Sequence, residues 1–255
     1  MTPHKSASTR AAARVVGLRK SFDDNHVLRG VDAVFPAGRC SFVAGPSGTG
    51  KSVLVRHLVG LLQPDSGEVF LGEERVDTLP EEELLELRKK CVYVFQHPTL
   101  FDSMTVSENV AVVMKYHLGL TPEAAQVKAD EQLRKMGLGR LTRSKPTRLS
   151  SGDQKLVSLA RALALEPDVL ILDEPTTGLD PHAAYKLDQQ IEVLAETGVT
   201  LLIISHDLRS IRRLADDVLF LFDGHIRFHG PVDDFFASDD AVVRQFVTGS
   251  VEGEI

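Results

Sequence analysis

The eight residues Gly45-Pro46-Ser47-Gly48-Thr49-Gly50-Lys51-Ser52 constrain this chain more than any other feature. They fit G-x-x-x-x-G-K-[ST] and stand between an apolar strand pattern, Ser41 to Ala44, and a helical one, Ser52 to Leu62, with Leu54, Leu58, Leu61 and Leu62 at helical spacing. Glycines let a backbone wrap a phosphate chain without Cβ clashes, and N–H groups at the start of the next helix then point at the anion. Lys51 supplies a mobile point charge for β- and γ-phosphates, and the Ser52 hydroxyl is placed to ligate Mg²⁺. The plain alternative is a Gly-rich turn with a solvated lysine.

A second apolar run, Val169-Leu170-Ile171-Leu172, ends in Asp173-Glu174. Beside such a loop, an aspartate closing a buried strand offers its carboxylate to the metal's water shell. Side-chain alternation along the strand sends Glu174 elsewhere, where it can accept a proton from an attacking water. Alone, two acids after a strand read as a helix N-cap or a solvated loop. Combined with residues 45 to 52 they define a site that hydrolyses a nucleotide.

The rest of the chain reads as an α/β unit. From Val15 to Phe35 and again from Val69 to Val76, short β-rich pieces broken at Asp23, Asp24, Asn25, Gly30 and Gly72 predict an antiparallel sheet near the N-terminus. Four apolar runs, Ser41 to Ala44, Val92 to Phe95, Val169 to Leu172 and Leu201 to Ile204, suit a mostly parallel buried sheet. Between Pro98 and Glu166 the strand signal is replaced by helical stretches around 105 to 117, 122 to 136 and 151 to 165, which predicts an all-helical insert. Pro181 to Glu196 reads as a helix with Pro at its start and Gly198 beyond its end. Asp223-Gly224 predicts a two-residue hairpin turn. One domain is expected over 14–249, with a helical subdomain at about 98–166, a loose basic tail over 1–13 and a short tail over 250–255.

Composition narrows the function classes. The 255 residues carry a formal charge of −7, which argues against the basic face that broad nucleic-acid binding needs. No nucleic-acid partner is therefore expected. Cys40 and Cys91 stand beside strand-like residues and read as buried free thiols in preference to a disulfide or metal pair. No apolar run approaches the ~20 residues of a membrane span, so membrane association is expected to go through a partner. The acid-free residues 1–20 superficially suggest a transit peptide, but only about ten of them precede the first strand pattern.

With these residues in place, the chain from Val15 to Phe228 resembles the nucleotide-binding subunit of an ABC transporter. Leu149-Ser150-Ser151-Gly152-Asp153 resembles that family's LSGGQ signature, and Gln96 its Q-loop glutamine. Gly178-Leu179-Asp180 is similar to its D-loop, His206 to its switch histidine, and Phe22 to the aromatic that stacks on adenine. The resemblance implies a P-loop NTPase core of the RecA-like type, with ATP and Mg²⁺ as ligands and Ser52, Gln96 and Asp173 around the metal. It also implies a head-to-tail dimer in which each ATP lies between one copy's P-loop and the other's Ser150, Ser151 and Gly152. In that scheme Gln96 couples the metal site to the helical insert, Lys51 and His206 contact the γ-phosphate, Glu174 is the base, and Asp180 links the paired sites. Singly, Gln96 also reads as a strand-end polar residue, His206 as a capped loop histidine and Phe22 as a core aromatic. The signature departs from the pattern: Ser151 replaces a glycine and Asp153 a glutamine. A serine is tolerated there at negative φ, whereas a carboxylate near a triphosphate is repulsive.

Within the family, Asp233 to Gly249, the closing Glu252-Gly253-Glu254-Ile255 and Phe101 to Val110 resemble ATPases of Mce-type, Mla-like phospholipid transporters. That branch implies a permease dimer and an Mce lipid-binding protein as partners, at the cytoplasmic face of a bacterial inner membrane. Otherwise, the tail is a helix and loop packed on its own domain, with Phe235, Phe236 and Phe246 as core. An amino-acid-type importer shares all the core motifs, and a soluble ABC ATPase acting on nucleic acid or ribosomes is a third reading.

Overall fold

The computed structural model describes residues 11–249. Ten strands and nine α-helices alternate along them, with β1 at Ala11–Phe22, β2 at Asn25–Pro36, β3 at Cys40–Ala44 and α1 at Lys51–Leu58. β4 (Ser66–Leu71), β5 (Glu74–Arg75), α2 (Glu81–Lys90) and β6 (Cys91–Val94) follow. Next come α3 (Val106–Leu118), α4 (Pro122–Lys135), α5 (Ser151–Leu163), β7 (Val169–Asp173), α6 (Pro181–Glu196), β8 (Thr200–Ile204) and α7 (Leu208–Leu214). The chain closes with β9 (Asp217–Phe222), β10 (His225–Pro231), α8 (Val232–Phe236) and α9 (Ala241–Thr248).

Two sheets form. The antiparallel one has the order β2-β1-β4-β5; the other runs β10-β9-β3-β8-β7-β6, parallel except for its β10 edge. Alternation along the parallel strands feeds two cores. Phe42, Leu170, Leu172, Leu201, Ile203 and Phe220 face the helical side, while Val43, Ile171, Leu202, Ile204 and Leu219 face α1 and the antiparallel sheet. Burial on both faces explains why these strands read as unbroken apolar runs. Cys40 and Cys91 are buried and free, as expected, and burial pushes the Cys91 thiol up to about 12.

Several boundaries move. The backbone is already strand at Ala11, paired with Pro36, so the expected tail over 1–13 is too long; its residues 1–10, like 250–255, lie outside the described residues. Gly30 does not end a strand, because β2 passes through it at an irregularity in the pairing with β1. The helix expected to reach Leu62 stops at Leu58. Gly60 takes a left-handed φ of 62°, its N–H donates to His57 O and that of Leu61 to Arg56 O, which closes the helix end. α2 escapes apolar spacing, since Leu84 and Leu87 are its buried residues; acids in its first turn and bases in its last suit the helix dipole.

Between β6 and β7 the described chain has no strand. Thr105 and Glu108 form a capping box at α3, and the Asn109 amide accepts from Phe101 N–H while donating to Phe101 O, pinning the 101–105 turn to that helix. Arg161 of α5 donates to Thr99 O at 2.7 Å. Asp223 and Gly224 form the predicted hairpin turn, both at positive φ. The tail aromatics pack on their own domain. Phe235 is fully buried, its ring 5.9 Å from Phe220 and 5.4 Å from Phe236, and Phe246 lies 5.0 Å from Phe220.

Candidate functional site

The loop after β3 owes its shape to a crowded crossing. Gly45 has a φ of 145°, and a Cβ there would lie 2.2 Å from Leu221 O of β9, so no other residue fits. Thr49 Oγ1 donates to Pro46 O across the loop at 3.0 Å. Lys51, only 6% exposed, turns its Nζ back to donate to Gly45 O at 2.9 Å and Pro46 O at 2.7 Å. Burial lowers its pKa, with Glu174 and Asp173 pulling the other way. The ammonium is thus held inside the loop by two neutral carbonyl oxygens.

The end of β7 lies beside it. Asp173, 4% exposed, accepts from Ser52 Oγ at 2.9 Å and from the Tyr93 hydroxyl at 2.5 Å, with Arg56 Nη2 at 3.9 Å. Burial pushes the Tyr93 hydroxyl's pKa well up, and Asp173 adds to the rise. Glu174 does diverge from Asp173, but for a different reason than strand alternation. The strand stops at Asp173, and Glu174 takes a left-handed φ of 48° that swings its carboxylate toward Thr177 and His206. Thr177 Oγ1 donates to its Oε2 at 2.8 Å, and His206 Nδ1 lies 3.0 Å from the same oxygen.

One open cleft of about 410 Å³ adjoins these groups. Phe22, Ser47, Gly48, Gly50, Lys51, Ser52, Gln96, Glu174 and His206 all line it, joined by Val27, Val53 and Thr177. Phe22 is 44% exposed at its rim, so it is no core residue. A hydroxyl and a carboxylate in contact, with an amide in the same cleft, make an oxygen donor set that fits Mg²⁺; among the described residues no cluster of three or more His, Cys, Asp or Glu could cage a metal. Mg²⁺ is ordinarily held by one or two carboxylates plus substrate phosphates, so the sparse set suits it.

Of the other predicted residues, Gly45, Pro46, Thr49 and Asp173 belong to the adjoining loop and strand end without lining this cleft, whereas Ser150, Ser151, Gly152 and Asp180 lie elsewhere. Ser150 caps α5. Its Oγ accepts from Asp153 N at 3.1 Å and donates to Asp153 Oδ2 at 2.9 Å. Ser151 has no positive φ, so the replaced glycine costs no backbone strain. Asp180 caps α6 through Ala183 N and His182 N, and the bond from Ala183 above all holds its carboxyl below the usual range. Gly152 is buried where α5 meets α6, and a Cβ would fall 2.9 Å from Ala183 Cβ. Gly152→Val is therefore expected to destabilise the fold by about 1–3 kcal/mol, read as a lowered thermal midpoint; an unchanged midpoint would refute the close packing.

Sequence reasoning missed Tyr93, Arg56 and Thr177. Their signals were a hydroxyl inside an apolar strand, a basic residue in the helix after the loop and a threonine just past the acids, too weak to stand out without the fold.

The family pattern described as ABC transporter matches residues 28–177. This chain belongs to the ABC transporter family. It is an ATPase that binds and hydrolyses ATP. "Probable ribonucleotide transport ATP-binding protein mkl" of Mycobacterium leprae is 36% identical over 96% of this chain and 71% of its own length. The chloroplastic protein trigalactosyldiacylglycerol 3 of Arabidopsis thaliana is also 36% identical, over 92% of this chain and 73% of its own. The arginine transport ATP-binding protein ArtM of Bacillus subtilis is 37% identical over 88% and 93% respectively. Among solved structures, a dimeric ATP-binding cassette in a post-hydrolysis state with ADP and Pi superposes with a TM-score of 0.78 at 29% identity, covering 86% of this chain and 98% of that one. The fold is accordingly that of an ABC cassette, a P-loop NTPase core with two sheets and a helical subdomain.

Proposed function

We propose that the cleft is the ATP site of a transporter subunit that powers lipid movement through a partner permease. The convergence of Ser47, Gly48, Gly50, Lys51 and Ser52 with Gln96, Glu174 and His206 on that cleft, together with the hydrogen bond from Ser52 to Asp173, carries the reading. A triphosphate entering it takes Lys51 from the carbonyls of Gly45 and Pro46, exchanging neutral partners for charged ones. Ser52 and Asp173, with Gln96 in reach, would hold Mg²⁺, which when bound neutralises phosphate charge. Glu174, aligned by Thr177, receives the proton of the attacking water, and His206 meets the γ-phosphate from the open side. Phe22 stacks on the adenine at the rim.

A second copy completes the site. Ser150, Ser151 and Gly152 lie away from their own chain's cleft at a helix start, where hydroxyl and N–H groups can receive an anion from across an interface, with Asp180 between the paired sites. The dimeric form of the solved relative supports this arrangement. ATP then favours the closed dimer by its differential affinity for that state, and cleavage releases it. Asp153 works against closure, because its carboxylate holds the Ser150 hydroxyl and repels phosphate. Asp153→Gln is expected to raise the ATPase rate by roughly 3- to 10-fold, the size of ~1 kcal/mol of relieved repulsion. A rate unchanged in steady-state assays would mean that the carboxylate faces away from the nucleotide.

The Arabidopsis relative, named for a glycolipid, and the resemblance of 101–110 and the tail to phospholipid-transporter ATPases support lipid as cargo. The Bacillus arginine transport relative, matched over most of its own length, favours the second reading, a polar-solute importer. No described helix is long and apolar enough to cross a membrane; in this reading the subunit sits peripherally on the cytoplasmic face, held there by its permease. Mild-detergent affinity purification from native membranes tests the choice. A co-purifying Mce-domain protein with lipid is the expected result; a periplasmic amino-acid receptor would overturn it.

A further inference from the structure

Lys155 belongs to the helix that starts at Ser150, yet its head group leaves that surface. Its Nζ donates to Glu174 O at 3.2 Å and to Thr177 O at 2.9 Å, clasping both ends of the turn that follows β7. Its stem passes an apolar seam made by Phe95, Pro98, Leu159, Pro175 and Leu187. Burial lowers the pKa of this ammonium, while the negative charge of Glu174 pulls it back.

The turn needs such a clasp. Glu174 holds a φ of 48° without being glycine, and Pro175 follows it. Sparsely populated conformations of this kind cost about 1–3 kcal/mol and persist when the surroundings over-determine them. Glu174 N–H donates to Ile204 O at 2.9 Å, and Thr177 N–H to Glu174 O at 3.3 Å, so the parallel sheet and the turn itself supply part of the restraint. Lys155 supplies a further part from the helical insert, using a cation whose two carbonyl bonds are charge-assisted.

We propose that Lys155 is a positioning residue for Glu174, fixing the backbone that aims the carboxylate and tying it to the helix that begins at Ser150. The inference rests on Glu174 being the base. It adds a consequence: residues 150–153 and the Glu174 turn share one rigid element, so a load on the helix start reaches the carboxylate through about one and a half turns of helix.

Steady-state hydrolysis by the purified full chain tests this. Lys155→Met is expected to lower kcat by about 10- to 100-fold, the cost of a small misplacement of a catalytic group, while the KM for ATP stays within about twofold. Lys155→Arg, whose guanidinium can still donate to both carbonyls, should restore most of the loss. In a Glu174→Gln background Lys155→Met should add no further loss, since the two act as a unit. Wild-type kcat in Lys155→Met overturns the proposal, as does an additive loss in the double variant or an equal fall in kcat and ATP affinity that Lys155→Arg does not rescue. Should Lys155→Met fail to fold, Lys155→Gln keeps an uncharged amide donor on a shorter stem: an intermediate kcat supports the proposal and an unaltered one overturns it. Failure of the underlying reading looks different, because it appears as wild-type turnover in Glu174→Gln alone.

Discussion

Glu174→Gln is expected to bind ATP and to hydrolyse it about 10²- to 10⁴-fold more slowly, the usual loss on removing a general base. The substitution keeps size and shape. Its amide oxygen can still accept from Thr177 Oγ1, which lies 2.8 Å from Glu174 Oε2, so the turn should survive. What disappears is the basic oxygen beside the open part of the cleft. Single-turnover hydrolysis, with nucleotide binding measured separately, separates the two effects. Wild-type turnover would reassign the base, and His206, with Nδ1 3.0 Å from the carboxylate and a side chain 53% exposed, would be next to test.

Lys51→Ala is expected to weaken ATP binding by about 10²- to 10³-fold, the equivalent of losing one or two charge-assisted hydrogen bonds at roughly 1.5–3 kcal/mol each. The free protein should tolerate the change far better. In it the ammonium is buried at an energetic cost and, among the described residues, bonds to Gly45 O and Pro46 O, which a water can satisfy in its absence. Thermal unfolding should therefore show a near-normal midpoint without nucleotide and a lost upward shift with ATP. Lys51→Arg should not rescue, because a broad planar fork cannot replace a compact point charge inside so tight a loop. A full ATP-induced shift in Lys51→Ala would remove the lysine from the phosphate site.

Much of this was legible in the residues. The strand runs at 41–44, 92–95, 169–172 and 201–204 fell within one residue of β3, β6, β7 and β8, because strands buried on both faces have no polar positions to blur them. Helices α3 to α6 were equally plain, and in the structure Thr105, Thr121, Ser150 and Asp180 cap their starts. The failures were at points where a distant group decides a local conformation. Gly60 ends α1 early, and a Cβ there would meet Leu84 of α2 at 2.5 Å, a contact between residues far apart in the chain. Gly30 looked like a break but lies within a long strand, at a bulge that leaves it unpaired while β1 pairs with the residues on either side.

The site divides in the same way. Residue types and their spacing alone pointed to the phosphate loop and the two acids, because those chemistries demand a particular side chain at a particular place along the backbone; Gln96 and His206 were singled out only by the resemblance to the family. Tertiary structure alone decided how Asp173 and Glu174 part company, that Tyr93 and Ser52 share one carboxylate, and that Lys155 grips the turn from another subdomain. Those outcomes depend on close packing between segments that the chain order keeps apart, and a left-handed glutamate is affordable only where such packing surrounds it.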